Sequence, residues 1–260
     1  MNLRNRAQVG RGQQARGLGE RSDSRAGGPG QGRGQAAVGN SLGGASNPQQ
    51  GLGPADKPPV QQYFSAQPSS PDIRRELKVT LQGHPLTVQV SSGVFSGNRL
   101  DLGTSVLLKH VPTPPANGDF MDLGCGWGPI ALSLGLSSPE ARVWALDVNE
   151  RALDLTQTNA RSHGLNGIRA LVAEQVPAEQ TFDLIWSNPP IRIGKEPLHQ
   201  LLMAWLPRLN PGGAAYLVVQ KNLGADSLIL WLDQTLSERF SVSKHASSKG
   251  YRVIEVLARP

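Results

Sequence analysis

The tripeptide Asn188-Pro189-Pro190 lies in the stretch SNPPIRIGK, residues 187–195. An asparagine side chain offers an acceptor oxygen and an NH2 donor. Two prolines after it fix the following backbone, so the loop points its groups one way at little further entropic cost. The Asn188 side-chain oxygen and the Pro189 carbonyl can then accept the two hydrogens of a planar NH2 group. That would hold its nitrogen in line with an electrophile, with Pro190 completing the rigid turn. Arg192 and Lys195 flank the loop as candidate substrate contacts. The competing reading of Asn188, Pro189 and Pro190 is a plain structural turn between a strand and a helix.

A second motif, MDLGCGWGP, places Gly124, Gly126 and Gly128 directly after a short apolar run. Glycine is needed where a strand turns sharply into a helix and a ligand lies against the backbone. The spacing is G-x-G-x-G, not the G-x-G-x-x-G of dinucleotide sites. Asp122, two residues before the first glycine, would repel a pyrophosphate but suits a zwitterionic or cationic ligand. Asp147 stands 19 residues after Gly128, at the end of the next strand. An acid there is suited to two ribose hydroxyls. Were that cationic ligand a sulfonium, a held amine beside it could take its methyl group. The sulfonium is a good leaving group, and the proton can depart after the methyl arrives, so no strong base is required. A tight turn without a ligand is the alternative for the glycines. Cys125 reads as a small turn residue.

These residues need a sheet edge to meet on, and the rest of the chain supplies one. LKVTLQGHPLTVQV alternates around Gly83 and Pro85 and predicts a small N-terminal β element. LDLGTSVLLKHVP predicts a short helix ended before Pro112. Then short apolar strands (DFMDLG, RVWALD, IRALVA, FDLIWS, AAYLVVQ) alternate with helical stretches. That rhythm predicts an α/β, Rossmann-like, mostly parallel sheet with helices on both faces. The closing pair, SVSKHASSKGYRVIEVLAR, has no helix between its halves and predicts an antiparallel C-terminal edge. The Asn-Pro-Pro loop follows the fourth strand, at the C-terminal edge where open α/β sheets bind ligands.

With the glycine turn, Asp147 and the Asn-Pro-Pro in this order, residues 77–258 resemble the class I S-adenosylmethionine-dependent methyltransferases. The resemblance implies S-adenosylmethionine as cofactor. It implies that Asp122 and the glycine turn face its methionine part, that Asp147 binds the ribose, and that Glu174 sits near the adenine. The longer strings SNPPIRIGKEPLH, GVFSGNRLDLGTSVLL and KGYRVIEV are similar to single-domain relatives of the ribosomal RNA small subunit methyltransferase C family. That implies methylation of guanine N2 in ribosomal RNA, with RNA or a ribosomal subunit as partner. Protein glutamine-N5 methylation and a catalytically silent RNA-binding or ribosome-assembly module are the alternatives. Members of these families carry an aromatic where this chain has Ile191. A stacking partner for a planar target must then come from elsewhere, and Phe95 and Trp127 are the candidates.

Composition divides the chain. Residues 1–60 hold 14 of the 30 glycines, no Phe, Tyr or Trp, and eight Lys/Arg against three acids. The net charge of +6 is therefore mostly theirs. Such a segment cannot bury enough apolar surface to offset its ordering entropy, so residues 1–70 read as a disordered Gly/Arg/Pro-rich tail and 71–260 as the catalytic domain. Arg/Gly segments can bind nucleic acid; an inert extension is the other reading. The single cysteine excludes an intramolecular disulfide and fits a reducing, cytoplasmic setting. No apolar run approaches the ~18–20 residues of a membrane helix. The five histidines show no metal-ligand spacing, and no metal is expected.

Overall fold

The computed structural model describes residues 70–260. The expected disordered tail falls, but for Ser70, outside them. An antiparallel hairpin comes first, β1 (Arg74–Leu81) and β2 (His84–Ser91). Its turn is Gln82-Gly83, both at positive φ, the two-residue geometry that matches strand twist. Helix α1 (Leu102–His110) follows, its N-terminus capped by the Asp101 carboxylate.

The main sheet has seven strands: β3 (Asp119–Leu123), β4 (Arg142–Leu146), β5 (Ile168–Leu171), β6 (Phe182–Ser187), β7 (Leu209–Gln220), β8 (Phe240–Ser248) and β9 (Tyr251–Ala258). Their order is β5-β4-β3-β6-β7-β9-β8. The first five run parallel. β9 runs antiparallel and enters between β7 and β8. The connecting helices are α2 (Pro129–Ser137), α3 (Glu150–Ser162), α4 (Lys195–Trp205) and α5 (Ala225–Thr235). This is the mostly parallel, Rossmann-like sheet that the strand–helix rhythm predicts.

Strand alternation sorts the core into two layers. Phe120, Val143, Ala145, Leu184 and Trp186 face α1, α2, α3 and the hairpin. Met121, Leu123, Trp144, Leu146 and Ile185 face α4 and α5 through Leu198, Leu202, Trp205, Leu228 and Leu232. Burial on both faces explains why these strands read as apolar runs rather than alternating ones. The chain order reverses between β3 and β6, which lie side by side with Leu123 opposite Ser187. Ligands of open α/β sheets bind at such a switch point, and here it brings the glycine turn next to the Asn-Pro-Pro loop.

Candidate active site

The glycine turn leaves β3 with every inward main-chain group committed. The Gly124 and Cys125 N–H groups donate to the Leu146 carbonyl (2.8 and 2.9 Å), and the Gly126 carbonyl accepts from the Thr156 hydroxyl (2.9 Å). Asn159 donates to the Trp127 carbonyl and pairs both ways with the main chain of Gln89, tying the turn to the hairpin. Gly124 and Gly126 have φ of +83° and +58°. A Cβ built on Gly124 would meet only the Asn188 carbonyl at 4.0 Å, and one on Gly126 only the Phe95 carbonyl at 3.8 Å. Both would project into the space between the turn and the two loops. The two glycines thus leave open a cradle that any side chain would begin to fill.

Asp147 follows β4. It accepts the Gly126 N–H through Oδ2 and the Asn149 N–H through Oδ1, each at 2.9 Å. The Val148 N–H adds a third contact, and a carboxylate has about four acceptor positions, so acceptor capacity remains for a hydroxyl donor. Burial pushes its pKa up, opposed by the backbone N–H groups of Asn149 and Gly126. Asn149 caps α3 and donates to the Gly93 carbonyl, anchoring the loop that carries Phe95.

Asp122 has a different place from its neighbours. It is fully buried, and Oδ2 accepts the Ala131 N–H inside the first turn of α2 (2.9 Å). Gly128, the N-cap, has no side chain to do this, so Asp122 caps the helix from the strand below. Its Oδ1 has no hydrogen-bond partner among the described residues. Desolvation pushes its pKa to about 8, so near neutral pH it mostly holds its proton and adds little fixed charge. Gly128 also stands off the cleft, where a Cβ would press on Thr156 at 3.0 Å.

The cleft between these elements has a volume of about 890 Å³. Gly124, Gly126 and Asp147 line it, with Val148 and Ala152 on one side and Glu174 on the one-turn helix after β5. Phe95, Asn188, Pro189, Pro190, Ile191 and Arg192 line the other part. Lys195 opens α4 and does not line it. Phe95 is 47% exposed, whereas Trp127, the other stacking candidate, is 1% exposed and packed in the core. Of the two candidates, Phe95 is the one whose ring is open to the cleft. Cys125 is buried, and burial drives its thiol pKa well up, which leaves it unreactive.

Asn188 is the most constrained group on the substrate side. Its Nδ2 donates to Asp101 Oδ2 (2.8 Å) and to the Thr104 hydroxyl (3.0 Å). A carboxylate oxygen only accepts, so the amide nitrogen must face it, and the side-chain oxygen stays available as an acceptor. The Ser187 hydroxyl donates to the Leu123 carbonyl (2.6 Å) and clamps the ends of β6 and β3. Pro190, at φ −76° and ψ 70°, makes an inverse γ-turn in which the Ile191 N–H donates to the Pro189 carbonyl (2.8 Å). That carbonyl keeps one lone pair. Asp101, Thr104 and Tyr251, at the start of β9, are site residues that local pattern alone missed. The one sequence signal was an Asp immediately before a helix.

A glycine cradle, a half-buried acid with acceptor capacity to spare and a locked amide at a sheet switch point define a class I S-adenosylmethionine-dependent methyltransferase. Sequence comparison names the family. Residues 85–255 match the methyltransferase small domain family, and the chain belongs to it. It is 33% identical to YbxB of Bacillus subtilis (strain 168) over 198 residues, 75% of this chain and 97% of that one. It is 34% identical over 162 residues to ribosomal RNA small subunit methyltransferase C of Pseudomonas putida, covering 60% of this chain and 48% of that one. The chain thus spans about half the length of such relatives. Among solved structures, the T. thermophilus 16S rRNA N2 G1207 methyltransferase (RsmC), in complex with AdoMet and guanosine, superimposes with a TM-score of 0.62. That match has 24% identity and covers 73% of this chain and 52% of the other; it shows the shared fold. The cofactor is S-adenosylmethionine, and the cradle, Asp147 and an apolar cleft of this size fit it.

Proposed function

We propose that this chain methylates an exocyclic amino nitrogen of RNA, namely guanine N2 in ribosomal RNA or a ribosomal subunit, in the cytoplasm. The observation that carries the reading is the orientation of Asn188: both hydrogens of its amide are spent on Asp101 and Thr104, and its oxygen is free to accept. An acceptor fixed in this way can hold an NH2 group that is too weak a nucleophile to react in random orientation. The names of the ribosomal RNA methyltransferase relatives support RNA as the substrate class.

S-adenosylmethionine supplies the electrophilic methyl group. The protein's part is binding and alignment. Asp147 has acceptor positions for ribose hydroxyls, Gly124 and Gly126 let the donor lie against the main chain, and Glu174 stands at the adenine end. Asn188 Oδ1 and the spare lone pair of the Pro189 carbonyl accept the hydrogens of the target amine. Phe95 stacks on the base and Arg192 meets its phosphates or polar edge. A displacement of about 1 Å can cost on the order of 10²-fold in rate, which is the value of locking Asn188 from two sides.

The test is methyl transfer from isotopically labelled S-adenosylmethionine to deproteinised ribosomal RNA and to assembled subunits, followed by nucleoside mass spectrometry. Label in N2-methylguanosine is the expected result. Label in protein, in another nucleoside, or in neither substrate would reject the proposal.

A further inference from the structure

We infer that Asp101 determines base specificity: its uncommitted carboxylate oxygen accepts the ring N–H that neighbours the reacting amine. The inference rests on the guanine reading above and assigns that choice to one residue.

The carboxylate is used unevenly. Oδ2 accepts twice, from the Thr104 N–H at 3.0 Å as the cap of α1 and from Asn188 Nδ2 at 2.8 Å. Oδ1 accepts from no described residue, yet Asp101 lines the cleft beside Asn188. One oxygen is spent on folding and on orienting the amide. The other belongs to a carboxylate that lines the cleft together with Asn188.

Base chemistry then discriminates. The exocyclic amines of adenine and cytosine adjoin ring nitrogens that carry lone pairs. Only guanine places an N–H donor beside its amine. An acceptor next to the amine-holding oxygen would pair with guanine and oppose the lone pair of the other two. A glutamine amide, whose NH2 adjoins a carbonyl, lacks that donor as well.

The surrounding groups extend the match. Tyr251 lines the same corner, its ring packed on the first turn of α1. A Cβ on Gly103 would stand 2.9 Å from the ring. Burial raises the Tyr251 hydroxyl pKa, the negative charge of Asp101 raises it further, and Arg192 opposes them. Asp101, Tyr251 and Arg192 therefore lie within electrostatic reach of one another. One acceptor and two donors line this cleft, the set that a ring N–H next to a carbonyl oxygen, the edge that guanine presents, would call for.

Asp101→Asn isolates the claim. Asn caps helices as well as Asp. Its oxygen can still accept from Thr104 and Asn188, which leaves its NH2 where the free oxygen stood. The probes are guanosine and 2-aminopurine riboside, which keeps the N2 amine but carries a lone pair at N1 and lacks the 6-oxygen, a loss that weighs equally on wild type and variant. Each is titrated into the full chain saturated with S-adenosylhomocysteine. The wild-type protein should prefer guanosine by roughly tenfold to a few hundredfold, the usual effect of an unpaired polar group. Asp101→Asn should collapse or invert that ratio while the melting temperature and S-adenosylhomocysteine affinity hold. A ratio unchanged by the substitution, or a wild-type protein that prefers neither nucleoside or binds neither, would overturn the assignment. Transfer to guanine N2 in ribosomal RNA is read on the wild-type protein alone. The function can therefore stand if Asp101 fails, and methyl found on another base overturns both.

Discussion

On the cofactor side of the cleft, Gly124, Gly126 and Asp147 are held by main-chain hydrogen bonds, and the acid is partly buried. On the substrate side, Phe95 and Arg192 stand in solvent, and only Asn188 is held to a comparable standard. The contrast separates two tasks. Binding a constant small molecule rewards a site completed before the ligand arrives. Accepting a large substrate rewards an open rim, provided that the atoms next to the reacting nitrogen are fixed.

The sharpest way to break this division is Asn188→Ala. Turnover should fall by roughly 10²–10³-fold, comparable to losing one preorganised polar contact at a reacting centre. Affinity for S-adenosylmethionine, by titration calorimetry, should stay within a few-fold; a large loss of affinity would mean the two sides are not separate. Asp147→Ala should do the converse. Cofactor binding should weaken by about 1–3 kcal/mol, with turnover at saturating cofactor largely retained.

Arg192 and Lys195 sharpen the comparison within the rim. Arg192 lines the cleft and Lys195 does not. Arg192→Ala should raise the KM for RNA several-fold and flatten its salt dependence, as expected for a lost phosphate contact. Lys195→Ala should change either by less than twofold in the same steady-state assay.

A separate test concerns pH and folding rather than activity. Asp122 has an ordinary value of 3.8, raised in the fold to about 8, so between these values the native state holds a proton that the unfolded chain has lost. Stability must then fall as pH rises through that window. Asp147 is shifted in the same direction. Denaturant midpoints at pH 5 and pH 8 should show the fall, and Asp122→Asn should flatten it. Equal slopes in both proteins would refute the assignment.

What could be read from the sequence follows the same division. The five parallel strands were legible because burial on both faces makes them short apolar runs. The glycine turn was legible because positive φ is a demand of the local backbone, and Asp147 because it stands at the end of a short apolar run. The environment of Asn188 was not. Its partners Asp101 and Thr104 lie 87 and 84 residues away in the chain, and no local pattern encodes that meeting. Asp122 was placed by motif on the ligand side, whereas strand alternation turns it beneath α2. Trp127 looked available for stacking by type alone, and its burial in the core removes it. Lys195 was near the loop in sequence but off the cleft in space, because the one-turn helix Ile191–Ile193 intervenes.

The reversed direction of β9 has a consequence for how such a fold can diversify. Its first residue, Tyr251, not its last, lines the cleft, and it directly follows a two-residue reversal at Lys249-Gly250, whose Gly250 carbonyl accepts from the Lys221 N–H at 2.8 Å. A reversal of this kind can be lengthened residue by residue while the strands behind it keep their pairing. Descendants of this chain could therefore admit bulkier or smaller targets by editing one tip, leaving the donor-holding half untouched.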